Sequence, residues 1–363
     1  LHIIITSNES WGDIWYSKQN YAHELSKLGH TVYFINSPRL WKFKNLFSFS
    51  AQCRRVEPNL YVLDYYNNFP IRIIPYVFRY LNDLINSWKL YKKIGPEEVI
   101  FWQFDPYRFS NVFFFSIKVR IYHVVDPYQH ISTDLDIAKK SNLIVLVDTY
   151  YEKRYNALDV ETLIIPHGIS QEDIEVDVDI VDNVIHDYGN YILFTGTVND
   201  DVDLDLLRLL VERLTLPLVI IGPVFLSGDM DKVKFDTLIG LPTVKYLGSL
   251  HYKKLKNYIN ASMVCITPYK KTLIQNIHRT PLKIVQYLAH GKAVVSTKPA
   301  NFKYKNIKRF YYKDDTEEFL NSVRKLVLEG VRIDLSQQKE FLEKNDYQKH
   351  ISTIFKKCGM VNR

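Results

Sequence analysis

Residues 279–297 read RTPLKIVQYLAHGKAVVST, a stretch that leaves the chain little conformational choice. Thr280 is a good N-cap, and Pro281 suits the first helical position, where its missing N–H costs nothing. Gly291 supplies the stop, and the apolar run Ala293–Thr297 is expected to be a buried strand. A loop, a short helix, a tight turn and a buried strand in succession are the repeating unit of an α/β sheet. On that helix Leu282, Val285, Leu288 and Ala289 form a core-facing stripe, whereas Lys283, Gln286 and His290 stack along another face. A cation and an amide beside an open helix N-terminus, with Arg279 just ahead, suit a diphosphate and its ribose. An ordinary amphipathic surface helix would carry the same spacing, so both readings stand at this point.

The same alternation runs along the whole chain. With 363 residues, 47% of them hydrophobic, it can bury two ordinary cores. His2–Thr6, Thr31–Ile35, Val99–Gln103, Arg120–Val125, Leu143–Val147 and Thr162–Ile165 read as strands of a first parallel sheet, with a helix expected near 105–116. A second series begins at Tyr191–Phe194 and includes Leu218–Ile221, Val244–Leu247 and Met263–Thr267. Gly196, Gly222 and Gly248 each follow a strand of that series, where either a tight turn or close approach of a ligand asks for a small residue. Between the two series, 166–189 contains no Lys or Arg and is rich in Asp and Glu, which suits an exposed linker. The expected division is a first domain at 1–170, an acidic linker at 171–189, a second domain at 190–335, and a last helix in 336–363.

Several chemistries are excluded by missing patterns. No G-x-G-x-x-G follows the first strand, and no phosphate-cradling G-x-x-x-x-G-K-S/T or nucleophile elbow G-x-S-x-G occurs. His130, His167 and His278 have no ligand spacing with Cys or Glu, so no zinc site is expected. D-x-D, which can hold a divalent ion against a diphosphate, occurs at Asp134/Asp136, Asp177/Asp179, Asp201/Asp203, Asp203/Asp205 and Asp229/Asp231. Five occurrences make each one unspecific, and no required metal or other cofactor is expected. Cys53, Cys265 and Cys358 are scattered, which fits a reducing compartment better than a disulfide framework. The chain opens directly into a strand, so the expectation is a cytoplasmic protein, free or peripheral on the inner face of the cell membrane.

The formal charge of +7 matters less than where it falls. Between Arg39 and Lys93 there are ten Lys or Arg against three acidic residues, interleaved with aromatics as in LWKFKNLFSF. Such a segment can lie against anionic lipid headgroups, or it can be helices packed on the sheet with solvated lysines. No nucleic-acid-binding motif accompanies it, and no nucleic acid is expected as a partner.

The 279–297 stretch resembles the donor site of GT-B glycosyltransferases, whose second domain carries P-(L/M)-K-x-x-(E/Q)-Y-x-A-x-G-x-(A/P)-V-V. Retaining family-4 enzymes have a glutamate where this chain has Gln286, and another where it has His278. The K-x-x-Q-Y form is similar to the inverting glucuronosyltransferase of xanthan assembly and its relatives. The resemblance implies two Rossmann-like, doubly wound domains facing each other across a cleft, the first binding acceptor and the second binding a nucleotide sugar. The last helix would then cross back to the first domain. It also implies donor contacts from Arg279, Lys283, Gln286, Tyr269, Gly196 and Gly248, with a UDP-sugar as donor. Glu9, Trp11 and Asp13, in the loop after the first strand, become candidates for the acceptor, a glycan or lipid-linked saccharide. Asp126 in YHVVDPY, at the end of a central strand, is the candidate general base, because a base must stand on a rigid element within reach of the acceptor hydroxyl. An Asp-Pro turn is the plain alternative for it. Retaining transfer and a non-catalytic sugar-binding protein on the same fold are the competing functions.

Overall fold

Eight strands build the first sheet: β1 (His2–Thr6), β2 (Thr31–Ile35), β3 (Gln52–Glu57), β4 (Leu60–Asp64), β5 (Val99–Gln103), β6 (Ile117–Val124), β7 (Leu143–Leu146) and β8 (Glu161–Ile164). The computed structural model describes residues 1–270, 281–297, 307, 309–330 and 335–360. The strand order is β3-β4-β2-β1-β5-β6-β7-β8, and every pair is parallel except β3 with β4. Ile3, Ile4 and Ile5 of β1 are all fully buried, as expected where helices cover both faces of a parallel sheet. The chain winds outward from β1 through β2 and β4, then reverses through β5 to β8. The reversal falls between β1 and β5, whose carboxyl ends therefore flank the crevice where open α/β sheets take ligands.

Six strands form the second large sheet: β9 (Ile192–Thr195), β11 (Leu218–Ile221), β13 (Val244–Tyr246), β14 (Val264–Thr267), β15 (Ala293–Ser296) and β16 (Phe310–Tyr312). Their order is β13-β11-β9-β14-β15-β16, all parallel, and the reversal lies between β9 and β14. Two short strands, β10 (Val198–Asn199) and β12 (Val224–Phe225), pair separately beyond β9 and β11. The chain divides into a first unit of Leu1–Pro166 with Tyr347–Arg363 and a second of His167–Asp346. Both are doubly wound and Rossmann-like.

Four features differ from the sequence expectations. The 105–116 segment is not a helix, because its main-chain donors are taken by buried side chains. Tyr107 N–H donates to Asp105 at 2.8 Å, and Phe109 and Asn111 N–H donate to the two oxygens of Asp83 at 2.8 and 3.1 Å. The 39–93 segment holds the β3–β4 hairpin and a helix, Pro75–Ile94, which starts at a proline and stops at Gly95 with φ 96°. Lys89 on that helix is not solvated: its ammonium is buried and donates to Tyr66 O, Asn68 and Asn86 at 2.7, 2.6 and 3.2 Å.

The 171–189 segment is not an open linker either. It forms helices Gln171–Ile174 and Val178–Tyr188 in the second unit, with Val181 and Val184 buried. Asp177 caps the second of them through Ile180 N–H, so part of the acidic composition reflects one cap and one wet helix face. The tail is two helices rather than one. Leu335–Asn345 stays in the second unit, while Tyr347–Lys357 joins the first, where Tyr347, Ile351, Ile354 and Phe355 enter the core. Tyr347 meets Tyr21 edge-on at 4.9 Å between ring centroids.

Candidate functional site

In the second unit the site grows from the carboxyl ends of β9 and β14. Gly196 directly follows β9 with φ 111°, and its N–H donates to Ile221 O at 2.8 Å. Gly222, following β11 with φ 149°, donates to Gly248 O at 2.8 Å. A Cβ on Gly222 would run into the Gly196 carbonyl, so this glycine is required by the backbone packing itself. Over Gly196 the occupant is different: a Cβ there would lie 2.5 Å from Lys283 Nζ. Gly248 has open space about it and needs glycine only for its φ of 67°.

Lys283 reaches this point from the Leu282–Ala289 helix, whose N-cap is Pro281 rather than the expected Thr280. Its ammonium stands 4.3 Å from the Phe194 ring centroid and 5.4 Å from that of Tyr269. Tyr269, just past β14, is fixed by its N–H to Thr297 Oγ1 at 2.7 Å and by Thr297 Oγ1 donating back to its carbonyl at 2.8 Å. Gln286 is half-buried, one turn after Lys283. Arg279 and His278 lie outside the described residues.

The helix face differs from the one expected. His290 is buried instead of wet, and burial pushes its imidazole down to about 4. Tyr287, not singled out in the sequence, is fully buried. Its hydroxyl accepts from Thr195 N–H at 2.8 Å and shares a hydrogen bond with Thr195 Oγ1 at 2.8 Å. It ties the helix to the last residue of β9 and so sets Lys283 over Gly196. The Q-Y pair of the motif was the available signal.

In the first unit the loop after β1 is tightly organised. Glu9 is ion-paired with Lys18, which is buried, and accepts from Asn8 Nδ2 at 3.0 Å. Trp11 is committed to packing: its ring lies 5.1 Å from both Trp15 and Phe34, and its N–H donates to Asn36 at 2.8 Å. Asp13 is exposed. Asp126 stands two residues beyond β6 and is half-buried.

Two tyrosines feel the charges of both Glu9 and Asp126. Tyr128 is buried, and its hydroxyl has no hydrogen-bond partner among the described residues. Burial, then the negative charges of Asp126 and Glu9, hold that hydroxyl well above the ordinary tyrosine range. Tyr107, on the loop after β5, is raised by burial and by the same two carboxylates. The four groups thus share one electrostatic neighbourhood near the crevice end of the sheet, with both phenols kept protonated as donors. Asp105 and Arg108 are ion-paired beneath it, and Arg108 also donates to Ser7 O at 3.1 Å.

Several of the D-x-D carboxylates are engaged within the fold. Buried Asp134 accepts from Tyr122, Tyr155 and Arg154 at 2.6, 2.8 and 2.5 Å. Asp203 caps a helix through Leu206 N–H, and Asp205, Asp229 and Asp231 pair with Lys234, Lys232 and Lys270. Among the described residues no three or more His, Cys, Asp or Glu side chains gather as a metal site. No helix of those residues is long and apolar enough to cross a membrane.

Residues 189–329 match the model of the family described as Glycosyl transferases group 1. No curated protein matches the chain. Among solved structures, sucrose-phosphate synthase from Thermosynechococcus elongatus is similar at TM-score 0.67 and 12% identity, covering 98% of each chain. HepE of Anabaena, in complex with UDP, is similar at TM-score 0.65 and 12% identity, covering 99% of this chain and 100% of the other. AviGT4, a glycosyltransferase involved in avilamycin A biosynthesis, gives TM-score 0.59 and 10% identity over 100% and 98%. At these identities the likeness shows the fold, which is GT-B. The match over 189–329 marks that region as a glycosyltransferase group 1 domain.

Proposed function

We propose that the chain moves a sugar from a UDP-sugar to a hydroxyl of a glycan or lipid-linked saccharide, with inversion at the anomeric carbon. The observation that carries this reading is Lys283 Nζ set over Gly196 between Phe194 and Tyr269, inside the region matching the glycosyltransferase family. A fixed cation at the end of a central strand, beside a helix N-terminus, is what a departing diphosphate needs. HepE is solved with UDP and with UDP-glucose, which supports the choice of nucleotide.

In the proposed reaction the acceptor oxygen forms its bond to the anomeric carbon as the bond from that carbon to the diphosphate oxygen breaks. Asp126 takes the hydroxyl proton, and the diphosphate leaves carrying the bonding electrons. Lys283, Arg279 and the first N–H groups of the Leu282–Ala289 helix meet the added negative charge, so the reaction needs no divalent ion. Gln286 bonds ribose or phosphate oxygens, Tyr269 lines the donor pocket, and the backbone at Gly196 and Gly248 admits the donor closely. Glu9, Asp13, Tyr107 and Tyr128 serve the acceptor, while Trp11 supports the loop that carries Glu9 and Asp13. The work belongs in the cytoplasm, at the inner membrane face where the acceptor is lipid-linked.

Nucleotide sugars are to be screened for thermal stabilisation, and the product anomer of the active donor determined by NMR. An inverted anomer is expected. A retained one would assign the family-4 mechanism instead, and saturable UDP binding without turnover on any acceptor would leave a binding protein.

A further inference from the structure

Two neighbouring segments of the first unit keep large apolar side chains in water. Phe43 is 74% exposed, Phe47 77% and Tyr76 80%, and Leu40, Ile73 and Val77 are exposed beside them. Chains usually bury such residues, and a cluster of them marks a surface made for contact. They are not loose ends. Buried Asn68 donates through Nδ2 to the carbonyls of Asn45, Leu46 and Ser48 at 3.2, 3.0 and 3.2 Å. Trp41 Nε1 donates to Asn68 O at 2.9 Å, turning that ring inward. Asn82, on the Pro75–Ile94 helix, accepts from the N–H groups of Asn68 and Phe69 at 3.0 Å each, and Phe69 stacks on Phe78 at 5.1 Å. The 40–49 loop and the start of that helix are thereby stapled side by side, with their apolar side chains held outward.

The charge on this surface has one sign. Lys42, Lys44 and Arg72 are exposed among the apolar groups, and neither 40–49 nor 71–80 contains Asp or Glu. The three acids of the wider segment are engaged elsewhere. Glu57 pairs with His23 at 2.6 Å, Asp64 accepts from Asn36 at 2.8 Å, and Asp83 is buried under the 109–111 loop. A second copy of this surface would set cation against cation. Nucleic acid would satisfy the cations and leave the aliphatic groups wet. An anionic bilayer interface satisfies both, taking apolar side chains below the headgroups and cations among them.

We infer that the surface formed by 40–49 and 72–80 docks the protein on an anionic lipid bilayer, with Phe43, Phe47 and Tyr76 inserted and Lys42, Lys44 and Arg72 at the headgroups. The inference is independent of the donor site, since it rests on the first unit alone.

Sedimentation with phosphatidylcholine vesicles, with and without phosphatidylglycerol, tests it. The protein should sediment with the mixed vesicles, be released as salt rises, and stay largely in solution with the neutral ones. Each cation is worth up to roughly fivefold near such a surface, so Lys42→Ala, Lys44→Ala and Arg72→Ala together should weaken binding by at least tenfold. Phe43→Ser with Phe47→Ser should abolish it. Both variants change exposed groups and should keep the wild-type melting midpoint and UDP affinity. Phe43→Trp should shift its fluorescence to the blue on adding mixed vesicles. Equal recovery with both vesicle types, no recovery with either, an unshifted spectrum of the Phe43→Trp variant, or a dimer in gel filtration that Phe43→Ser with Phe47→Ser dissolves would each overturn the inference.

Discussion

Replacing Lys283 by alanine separates donor binding from folding, because the side chain is half-buried and its stem lies on the surface of its helix. What the fold loses includes a cation over Phe194 at 4.3 Å, about 0.5–1 kcal/mol at a site of this exposure, partly offset by the better helix former. What the donor loses is a charge-assisted contact to its diphosphate, about 1.5–3 kcal/mol, or roughly a ten- to hundredfold weaker dissociation constant. Gly196→Ala attacks the same contact from the other side. Its Cβ would stand 2.5 Å from Nζ and 2.8 Å from Cε, forcing the side chain off its seat. If both changes act by removing one ammonium from one place, the double variant binds UDP no worse than the weaker single one. Calorimetric titration of UDP into the four proteins measures the cycle, with a denaturant melt of each as the control for folding. Unchanged affinity in a folded Lys283→Ala protein would refute the phosphate role, and a double variant binding UDP worse than either single one would show that Gly196→Ala also acts on the donor directly.

Asp126→Asn should keep UDP affinity within a few-fold and lower transfer by ~10²–10⁴-fold, because an amide cannot take the acceptor's proton. Near-normal transfer by a folded variant would remove Asp126 and turn attention to Glu9 and Asp13. Tyr287→Phe strips the hydroxyl from Thr195 N–H and leaves that buried donor unmet, at about 1–3 kcal/mol in chemical denaturation. It should also weaken UDP binding without touching it. His290 is lowered from 6.5 to about 4, so the unfolded chain binds its proton first, and stability falls as pH drops through that window, by at most roughly 3 kcal/mol. His290→Gln should flatten that slope in urea midpoints followed across the same range, and an unaltered slope would place the proton uptake elsewhere.

The parallel strands were legible because burial on both faces writes itself as unbroken apolar runs such as Ile3–Ile5 and Val219–Ile221. The glycines after β9, β11 and β13 were legible as a set, but not their separate reasons, which depend on whose carbonyl or ammonium comes near. Composition misled where one-sided structure imitates a linker: 171–189 is acidic because its helices turn acids to water, not because it is unfolded. The 105–116 helix failed for a long-range reason. Asp83, far away in sequence, claims the N–H groups that a helix would use, and no local pattern announces that. Periodicity put His290 on the wet face because it ranks polarity and cannot see a helix covered on several sides.

The acidic residues give the base assignment its shape. Several of the D-x-D carboxylates are already engaged in the fold. Asp134 takes three donors, Asp203 caps a helix, and Asp205, Asp229 and Asp231 hold lysines. Glu9 and Asp126 differ from these, since both bear on two protonated phenols at the crevice end of the first sheet. Lys18 holds one carboxylate oxygen of Glu9, and Asn8 Nδ2 donates to the other. A carboxylate held on both sides is better suited to orient a sugar hydroxyl than to deprotonate one. In the proposed reaction a bound acceptor would accept from Tyr128, whose buried hydroxyl lacks a partner among the described residues. On that division of labour Tyr128→Phe should raise KM for the acceptor with little change in kcat, whereas Asp126→Asn should do the reverse. A Tyr128→Phe enzyme crippled in kcat at unchanged KM would instead move the phenol into the proton transfer itself.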